Sequence, residues 1–492
     1  MIMNRGVRII AIFWGAIMFA GCSVGPNYVR PEPPKTNTYI SGALPGKTAS
    51  AGIKGGEAQR FIVGADIPAQ WWEVFHSRGL DTLIRKSLAE SPTMAQAEAK
   101  LREARENANA LAGATLYPAV SGSFSASRQK TQAFFPGQKN IVSNSYQASL
   151  NVSYLLDIFG SSRRQVEALR AEVDFESFEL DAAYLALTSS VVIAAVNEAA
   201  LREEISATEE ILSTQEKYLE RLEKQFELGG VARQDVLSQR SQVEETRSSI
   251  SGLQKQLAQN RHQLAILAGE LPNKENELPE FRLDELTLPE NLPVSLPSEI
   301  TRQRPDIAAA QALLHAASAG VGVATANLYP QITLSGSFGP EASVFKDLFK
   351  SDNVLWSLGG NLLQPIFNGG ELNAKKRAAL AVYDQARAQY RSVVLNAFGE
   401  VADTLRALEA DANTLQAQAN AQRAAKESLG LIEDQLKAGA VSYLVLLNGE
   451  QQYARARLSL VSARASRLVD TAMLFKALGG GWINKELLWL NE

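Results

Sequence analysis

Two stretches of this chain are too long and too free of helix breakers to fit inside an ordinary domain. Residues Ser161 to Leu228 hold 68 positions with neither Gly nor Pro, and the 68 positions from Glu371 to Ala438 are interrupted only by Gly399 and Gly430. Gly and Pro are the residues a helix interior tolerates least, and a continuous helix of this length runs ~100 Å at 1.5 Å per residue. Within the first stretch Val166, Val173, Leu180, Leu187, Ala194 and Leu201 recur every seven residues, the spacing of a helix seam. The companion positions Glu176, Ser190 and Asn197 are polar, which predicts helices packed side by side rather than a two-stranded rod. The first stretch ends at Gly229 and Gly230 and the second at Gly439, and return stretches follow at 231–268 and 441–478. Glycine just past a helix adopts the left-handed backbone most easily, so these positions read as the tips of helical hairpins.

The body of the chain is a tandem duplication. Ala114-Thr-Leu-Tyr-Pro118 returns as Ala326-Asn-Leu-Tyr-Pro330, and Ser121-Gly-Ser-Phe124 as Ser335-Gly-Ser-Phe338. Ile158-Phe159 returns as Ile366-Phe367, and Phe226-Glu-Leu-Gly-Gly-Val231 as Leu436-Lys-Ala-Gly-Ala-Val441. Four landmarks in one order divide the body into residues 76–285 and 286–492. The period far exceeds that of a solenoid unit, so a whole domain is doubled.

Each half also carries a change of period. Val120, Gly122, Phe124 and Ala126 alternate with four serines, and Tyr146, Ala148, Leu150, Val152, Tyr154 and Leu156 alternate with Gln147, Ser149, Asn151 and Ser153. In the second half Ile332, Leu334, Gly336 and Phe338 alternate with Gln331, Thr333, Ser335 and Ser337, and Val354, Trp356, Leu358 and Leu362 with Ser357 and Asn361. Period two means strand, so two hairpins are predicted, at 117–158 and 329–367. One face of each is apolar and the other polar without charge, the pattern of a transmembrane strand, and Tyr117, Tyr329 and Trp356 are candidates for interfacial aromatics. A half-exposed sheet on a soluble protein would alternate in the same way. Four strands cannot close a barrel, and an open edge cannot face lipid. In the membrane reading, therefore, closure requires several chains.

Composition removes other classes. A single Cys cannot form an intramolecular disulfide, and one Cys with three His gives no four-ligand zinc site. A net charge of −4 offers no electrostatic footprint for nucleic acid. Arg5 and Arg8 precede an apolar run from Ile9 to Phe19, then Ala20, Gly21 and Cys22. Residues 1–21 read as a secretory signal peptide, since eleven apolar residues are too few to span a bilayer as a helix. The Pro- and Gly-rich segment that follows, to about Gln70, is predicted to be extended and irregular, either a tether or a strap along the body. His76, His262 and His315 lie in different elements with no phosphate loop or nucleophile elbow near them.

Several of these motifs together resemble a known family. Phe19-Ala20-Gly21-Cys22 is similar to a bacterial lipobox. With Gly25-Pro-Asn-Tyr-Val-Arg-Pro31, Trp71-Trp72 running into Leu80-Asp-Thr-Leu-Ile84, Arg304-Pro-Asp-Ile307 and the paired Leu-Tyr-Pro motifs, it resembles TolC-type outer-membrane efflux proteins of the OprM/NodT lipoprotein branch. The resemblance covers nearly the whole mature chain. It implies a mostly α fold with a transmembrane β part: a homotrimer whose four strands per chain make a twelve-stranded barrel, above a long periplasmic α-helical barrel. It implies lipidation of Cys22 and, with Ser23 following, sorting to the outer membrane, so that residues 22–75 form a lipidated extended segment. The implied function is a passive exit duct, without enzymatic activity or cofactor, served by a periplasmic membrane-fusion adaptor and an inner-membrane pump of the RND type. The competing readings are a conduit for type I protein secretion and a periplasm-spanning structural lipoprotein with no lumen.

In that family the hairpin tips pinch the periplasmic end shut, often with acidic rings. The corresponding positions here are Val445 and Asn448, with Tyr443 and Leu444 as neighbours, and neither is acidic. The departure points to closure by apolar packing and amide hydrogen bonds. Asp235, the counterpart of Val445 in the first half, is an acid near a tip.

Overall fold

The computed structural model describes residues 23–42, 44–132 and 140–481, so the signal segment and Cys22 lie outside the described residues. Among the described residues there are eight α-helices and six strands. In chain order these are β1 (Arg60–Val63), α1 (Arg78–Glu90), α2 (Pro92–Leu116), β2 (Ala119–Thr131), β3 (Ile141–Leu156), α3 (Ser161–Glu227), α4 (Arg233–Leu267) and β4 (Asn291–Val294). They continue with α5 (Pro297–Gln303), α6 (Pro305–Ala326), β5 (Gln331–Ala342), β6 (Val354–Leu363), α7 (Glu371–Lys437) and α8 (Tyr443–Ala477). Both α3 and α7 are continuous over 67 residues, and Gly399 and Gly430 do not break α7. The return helices start two residues later than the glycine positions suggested, because residues 228–232 and 438–442 form the turns.

The chain forms two compact units, one from residues up to 31, 100–177 and 309–391, the other from 32–99, 178–308 and 392 onward. Each draws on both sequence halves.

The first unit contains a four-stranded antiparallel sheet in the order β2-β3-β5-β6. Its register keeps the two faces separate across all four strands. Apolar residues meet apolar residues at Val120↔Val152, Phe124↔Ala148, Leu150↔Phe338, Ile332↔Leu362 and Phe338↔Trp356, while Ser121↔Asn151, Ser153↔Ser335 and Ser337↔Ser357 meet on the other face. In this unit residues 23–31 lie against the helices. Arg164 donates to Asn27 Oδ1 at 2.5 Å and to Glu167 Oε2 at 2.7 Å, and Tyr28 stacks on the His315 ring with centroids 4.4 Å apart. His315 Nε2 sits 3.0 Å from Glu167 Oε1. Burial opposes ionisation of Glu167, but Arg164 and His315 prevail and hold its carboxyl below the usual range.

The second unit holds the hydrophobic core. Trp71, Trp72 and Phe75, on a single 3₁₀ turn, are buried with Leu80 and Ile84 of α1, Val191, Val192, Ala195 and Val196 of α3, Leu264 of α4 and Phe475 of α8. Burial at consecutive α3 positions, not only at the heptad seam, reflects packing on several sides. The N-terminal segment is a strap here, not a free tether. β1 pairs parallel with β4, Tyr39 Oη donates to the Ser295 carbonyl at 2.9 Å, and Gln59 Nε2 donates to Thr471 Oγ1 at 3.1 Å. The fully buried Arg467 donates to Thr48 Oγ1 at 3.0 Å and to the Glu57 carbonyl at 2.6 Å. Arg304, also buried, spans Asp306, Glu400 and the Ala477 carbonyl at 2.7 to 3.0 Å, which gives the Arg304-Pro-Asp-Ile307 motif a structural role.

Candidate functional site

Two features of the fold are candidates for function: the sheet and the hairpin tips. On the sheet, Val120, Phe124, Leu150, Phe338, Trp356, Leu358 and Leu362 are all exposed, with Leu358 at 82% and Trp356 at 75%. An apolar face of this extent is not stable against water. The opposite face carries a ladder of hydroxyl and amide groups. Ser123 and Ser149 hydroxyls bond each other at 2.9 Å, Ser337 and Ser357 at 2.8 Å, and Asn151 Nδ2 reaches Ser149 Oγ at 3.2 Å. Among the described residues, strands β2 and β6 have no sheet neighbour on their outer edges. Trp356 is the third residue of β6, at the turn end of the hairpin, while Tyr117 and Tyr329 stand where helix gives way to strand, Tyr329 stacked on Phe159 at 4.8 Å.

At the tips, Gly229 and Gly439 take positive φ values of 76° and 72°. The amides that follow complete the same motif in both halves. Gly230 N–H donates to the Gln225 carbonyl at 2.8 Å and Ala440 N–H to the Gln435 carbonyl at 2.9 Å, a Schellman closure that satisfies the helix-end carbonyls. Asp235 is used locally: its Oδ2 accepts the Ala232 N–H at 3.2 Å and so caps α4. Leu444, Val445 and Asn448 are exposed on the first turns of α8, while Leu446 and Leu447 are buried. Tyr443 turns inward and its hydroxyl donates to Gln239 Oε1. Gln239 Nε2 donates to the Gln215 carbonyl at 2.9 Å, and Thr246 Oγ1 to Gln215 Oε1 at 2.8 Å. The amide network near the tips therefore runs through Gln239 and Gln215 rather than Asn448. Sequence reasoning missed these residues, because glutamines in long polar helices carry no local signal.

Two carboxyls, the buried Glu450 and the half-buried Asp411, were also missed. Glu450 follows Leu446, Leu447 and Gly449 into the packed side of α8. Asp411 on α7 adjoins Asp470 on α8, in a cavity of about 650 Å³ that Asn197, Glu204 and Gln263 also line. Burial and the neighbouring Asp470 carboxyl push Asp411 well above the ordinary carboxylate range. The folded chain thus keeps a proton that the unfolded chain releases, so stability is greatest at low pH and falls as pH rises from the ordinary carboxylate range through the raised value. Asp411→Asn is expected to remove that fall. Its thermal unfolding midpoint should exceed the parent's by more at pH 8 than at pH 5, and an equal difference at both would rule this out.

A sheet with one largely apolar and one largely polar face, two open edges and 67-residue helices defines a segment of a multi-chain β-barrel channel wall. Comparison with known proteins agrees. The profile of the family described as "Outer membrane efflux protein" matches residues 83–270 and again 296–480. The chain is 32% identical to the pyoverdine export outer membrane protein OpmQ of Pseudomonas aeruginosa, over 84% of this chain and 87% of that protein. It is also 32% identical to the probable efflux pump outer membrane protein TtgC of Pseudomonas putida, over 95% of this chain and 94% of that one. The solved outer-membrane channel OprN superposes with a TM-score of 0.84 at 28% identity, covering 94% of this chain and all of OprN. The chain belongs to the outer membrane efflux protein family, with the fold of the TolC-type channels of the outer membrane.

Proposed function

We propose that three copies of this chain close into a twelve-stranded barrel and form the exit duct of a tripartite efflux system. An inner-membrane pump of the RND type loads it through a periplasmic membrane-fusion adaptor. The observation that carries this is the sheet register. It sets an apolar face, ending in Arg128 and Lys130 on β2, against a polar face on which Glu341 carries a charge, and among the described residues it leaves the outer edges of β2 and β6 without a partner strand. Backbone groups on those edges need partners in lipid, and the β6 of one copy can supply them to the β2 of the next. The polar face then lines a water-filled path, unlike the apolar filling of a solid barrel, which speaks against a lumen-less scaffold. Such a duct encloses a path and needs neither catalysis nor a cofactor. The names of the similar proteins, for pyoverdine export and for an efflux pump, favour small molecules over polypeptides as cargo. Lipidation at Cys22 would add an anchor in outer-membrane lipid, beside the barrel.

The resting gate in this reading is the ring of second-half tips. Leu444, Val445 and Asn448 are exposed there, available to meet their copies, while Tyr443 and the glycine turns at Gly229, Gly230 and Gly439 hold the hairpins in shape. Single-channel recording in planar bilayers tests it. Val445→Asp places three like charges together and Asn448→Lys does the same with positive sign, so each is expected to raise resting conductance while the trimer persists. Unchanged conductance in both variants would remove these positions from the gate. Electron microscopy down the long axis tests the duct itself: a hollow threefold ring is expected, and a filled rod would refute it.

A further inference from the structure

Glu450 is 5% exposed, and both of its carboxylate oxygens are buried without a hydrogen-bond partner. A buried carboxylate lacking a donor is strongly unfavourable. It lines a cavity of about 340 Å³ among α3, α7 and α8, with Glu210, Lys426, Glu433, Tyr453 and Arg457. Arg457 is engaged by Glu210 at 2.6 Å. Lys437 acts on Glu433 but is bonded to Asp434 at 2.9 Å, and of the cations that line the cavity this leaves Lys426, whose side chain is exposed, to face Glu433 and Glu450. One carboxylate remains uncompensated in a cavity that Thr214, Gln215 and Tyr453 line together with the apolar Ile211 and Leu429.

The geometry points to a binding site for one guanidinium or alkylammonium group, with Glu450 as its anchoring carboxylate and Glu433 as the second contact. A planar guanidinium brings several N–H donors in a fork that matches a carboxylate, and these are what Glu450 lacks. Burial, with the Glu433 charge beside it, pushes Glu450 up to about 7. The other charged or titratable groups around it are Glu210, Tyr218 and Arg221 from α3, Lys426 and Lys437 from α7, and Tyr443, Tyr453 and Arg457 on α8 itself. At this level α4 meets α8 through Gln242 and Gln451, both uncharged. A bound cation favours the ionised carboxyl, so binding releases a proton and strengthens as pH rises toward about 7. All of the residues that line the site come from one chain.

Calorimetric titration of the full-length protein in detergent tests this, with two probes: methylguanidinium, and a capped helical peptide carrying one arginine. One saturable site per chain is expected. Glu450→Gln should weaken it by about tenfold or more, the usual weight of a hydrogen bond to a charged group, and Glu433→Gln by less. The affinity of the parent should rise between pH 5 and 7 and level above, and in E450Q that rise should vanish. Glu450→Asp keeps the charge and should retain the pH dependence at reduced affinity, which separates anchoring from packing. Much tighter binding of the peptide would identify the source as an arginine presented by a partner protein, and equal affinities a free small cation. Absence of saturable binding of both probes at pH 8, undiminished binding to a folded E450Q, or a structure with the Lys426 ammonium bonded to Glu450 would overturn the assignment.

Discussion

Gly339→Val is expected to abolish the assembled, heat-resistant oligomer. A Cβ at position 339 would lie 2.0 Å from the Ala148 carbonyl oxygen and 2.6 Å from Ser149 Cα. These are backbone atoms of β3, so no side-chain rotation relieves the clash. The residues lie between the Gln147↔Glu341 and Leu150↔Phe338 pairs of β3 and β5, in the seam that joins the hairpin of the first half to that of the second. Pushing these strands apart breaks ladder hydrogen bonds, and each unpaired backbone group costs several kcal/mol in lipid, so less than about one tenth of the oligomer should survive. Gly336→Ala is the control in the same strand. A Cβ there meets the Ser357 carbonyl oxygen at 3.6 Å and Leu358 Cδ1 at 3.7 Å, ordinary contact distances, so normal assembly is expected. Heat-modifiable migration of outer-membrane fractions on denaturing gels reads both. Normal migration of the Gly339 variant would show that the β3–β5 pairing described here is not the assembled one.

Trp71→Ala is the second large effect, at about 3–5 kcal/mol of stability. Trp71 is fully buried, stacked on Phe475 with ring centroids 5.4 Å apart and edge-on to Trp72 at 6.2 Å. Truncation leaves a cavity where the N-terminal strap meets α8, and the surrounding helices relax only in part. Because Trp71 Nε1 is buried without a hydrogen-bond partner, Trp71→Phe removes an unsatisfied donor along with some volume. Its loss should therefore be well under half that of the alanine variant. Trp72 differs, since its Nε1 donates to Asp81 Oδ1 at 3.0 Å. Denaturant midpoints would rank the variants, and proteolysis should detect release of residues 32–70 in Trp71→Ala alone. Equal losses for Ala and Phe at position 71 would mean that the indole nitrogen finds a partner.

Much of this architecture was legible in the sequence for a local reason. Val120 to Ala126 and Tyr146 to Leu156 alternate because a strand presents successive side chains to opposite faces, and the uncharged partners of that alternation already suggested water within and lipid without. The breaker-free run from Ser161 and the glycines at 229 and 439 likewise act through a few neighbouring residues. The course of the N-terminal segment was not legible. Gln59 meets Thr471 and Arg467 meets Thr48 across more than 400 residues, and nothing within the segment announces such partners. Asp235 looked like a gate residue by its place in the repeat, yet its carboxylate is spent on the Ala232 N–H, a role decided by where α4 begins.

The sequence by itself determined the period of each element, the ends of the long helices, the doubling of the domain and the chemistry of the two sheet faces. All of these are set by residues close to one another along the chain. Only the tertiary structure decided which polar groups are cut off from water. Burial depends on what other helices bring: Glu433 beside Glu450, Asp470 beside Asp411, and the β3 backbone against Gly339. An acid in a helix reads as solvated until its neighbours in space are known, and a glycine in a strand reads as a weak point until the strand beside it fills the room that a Cβ would need.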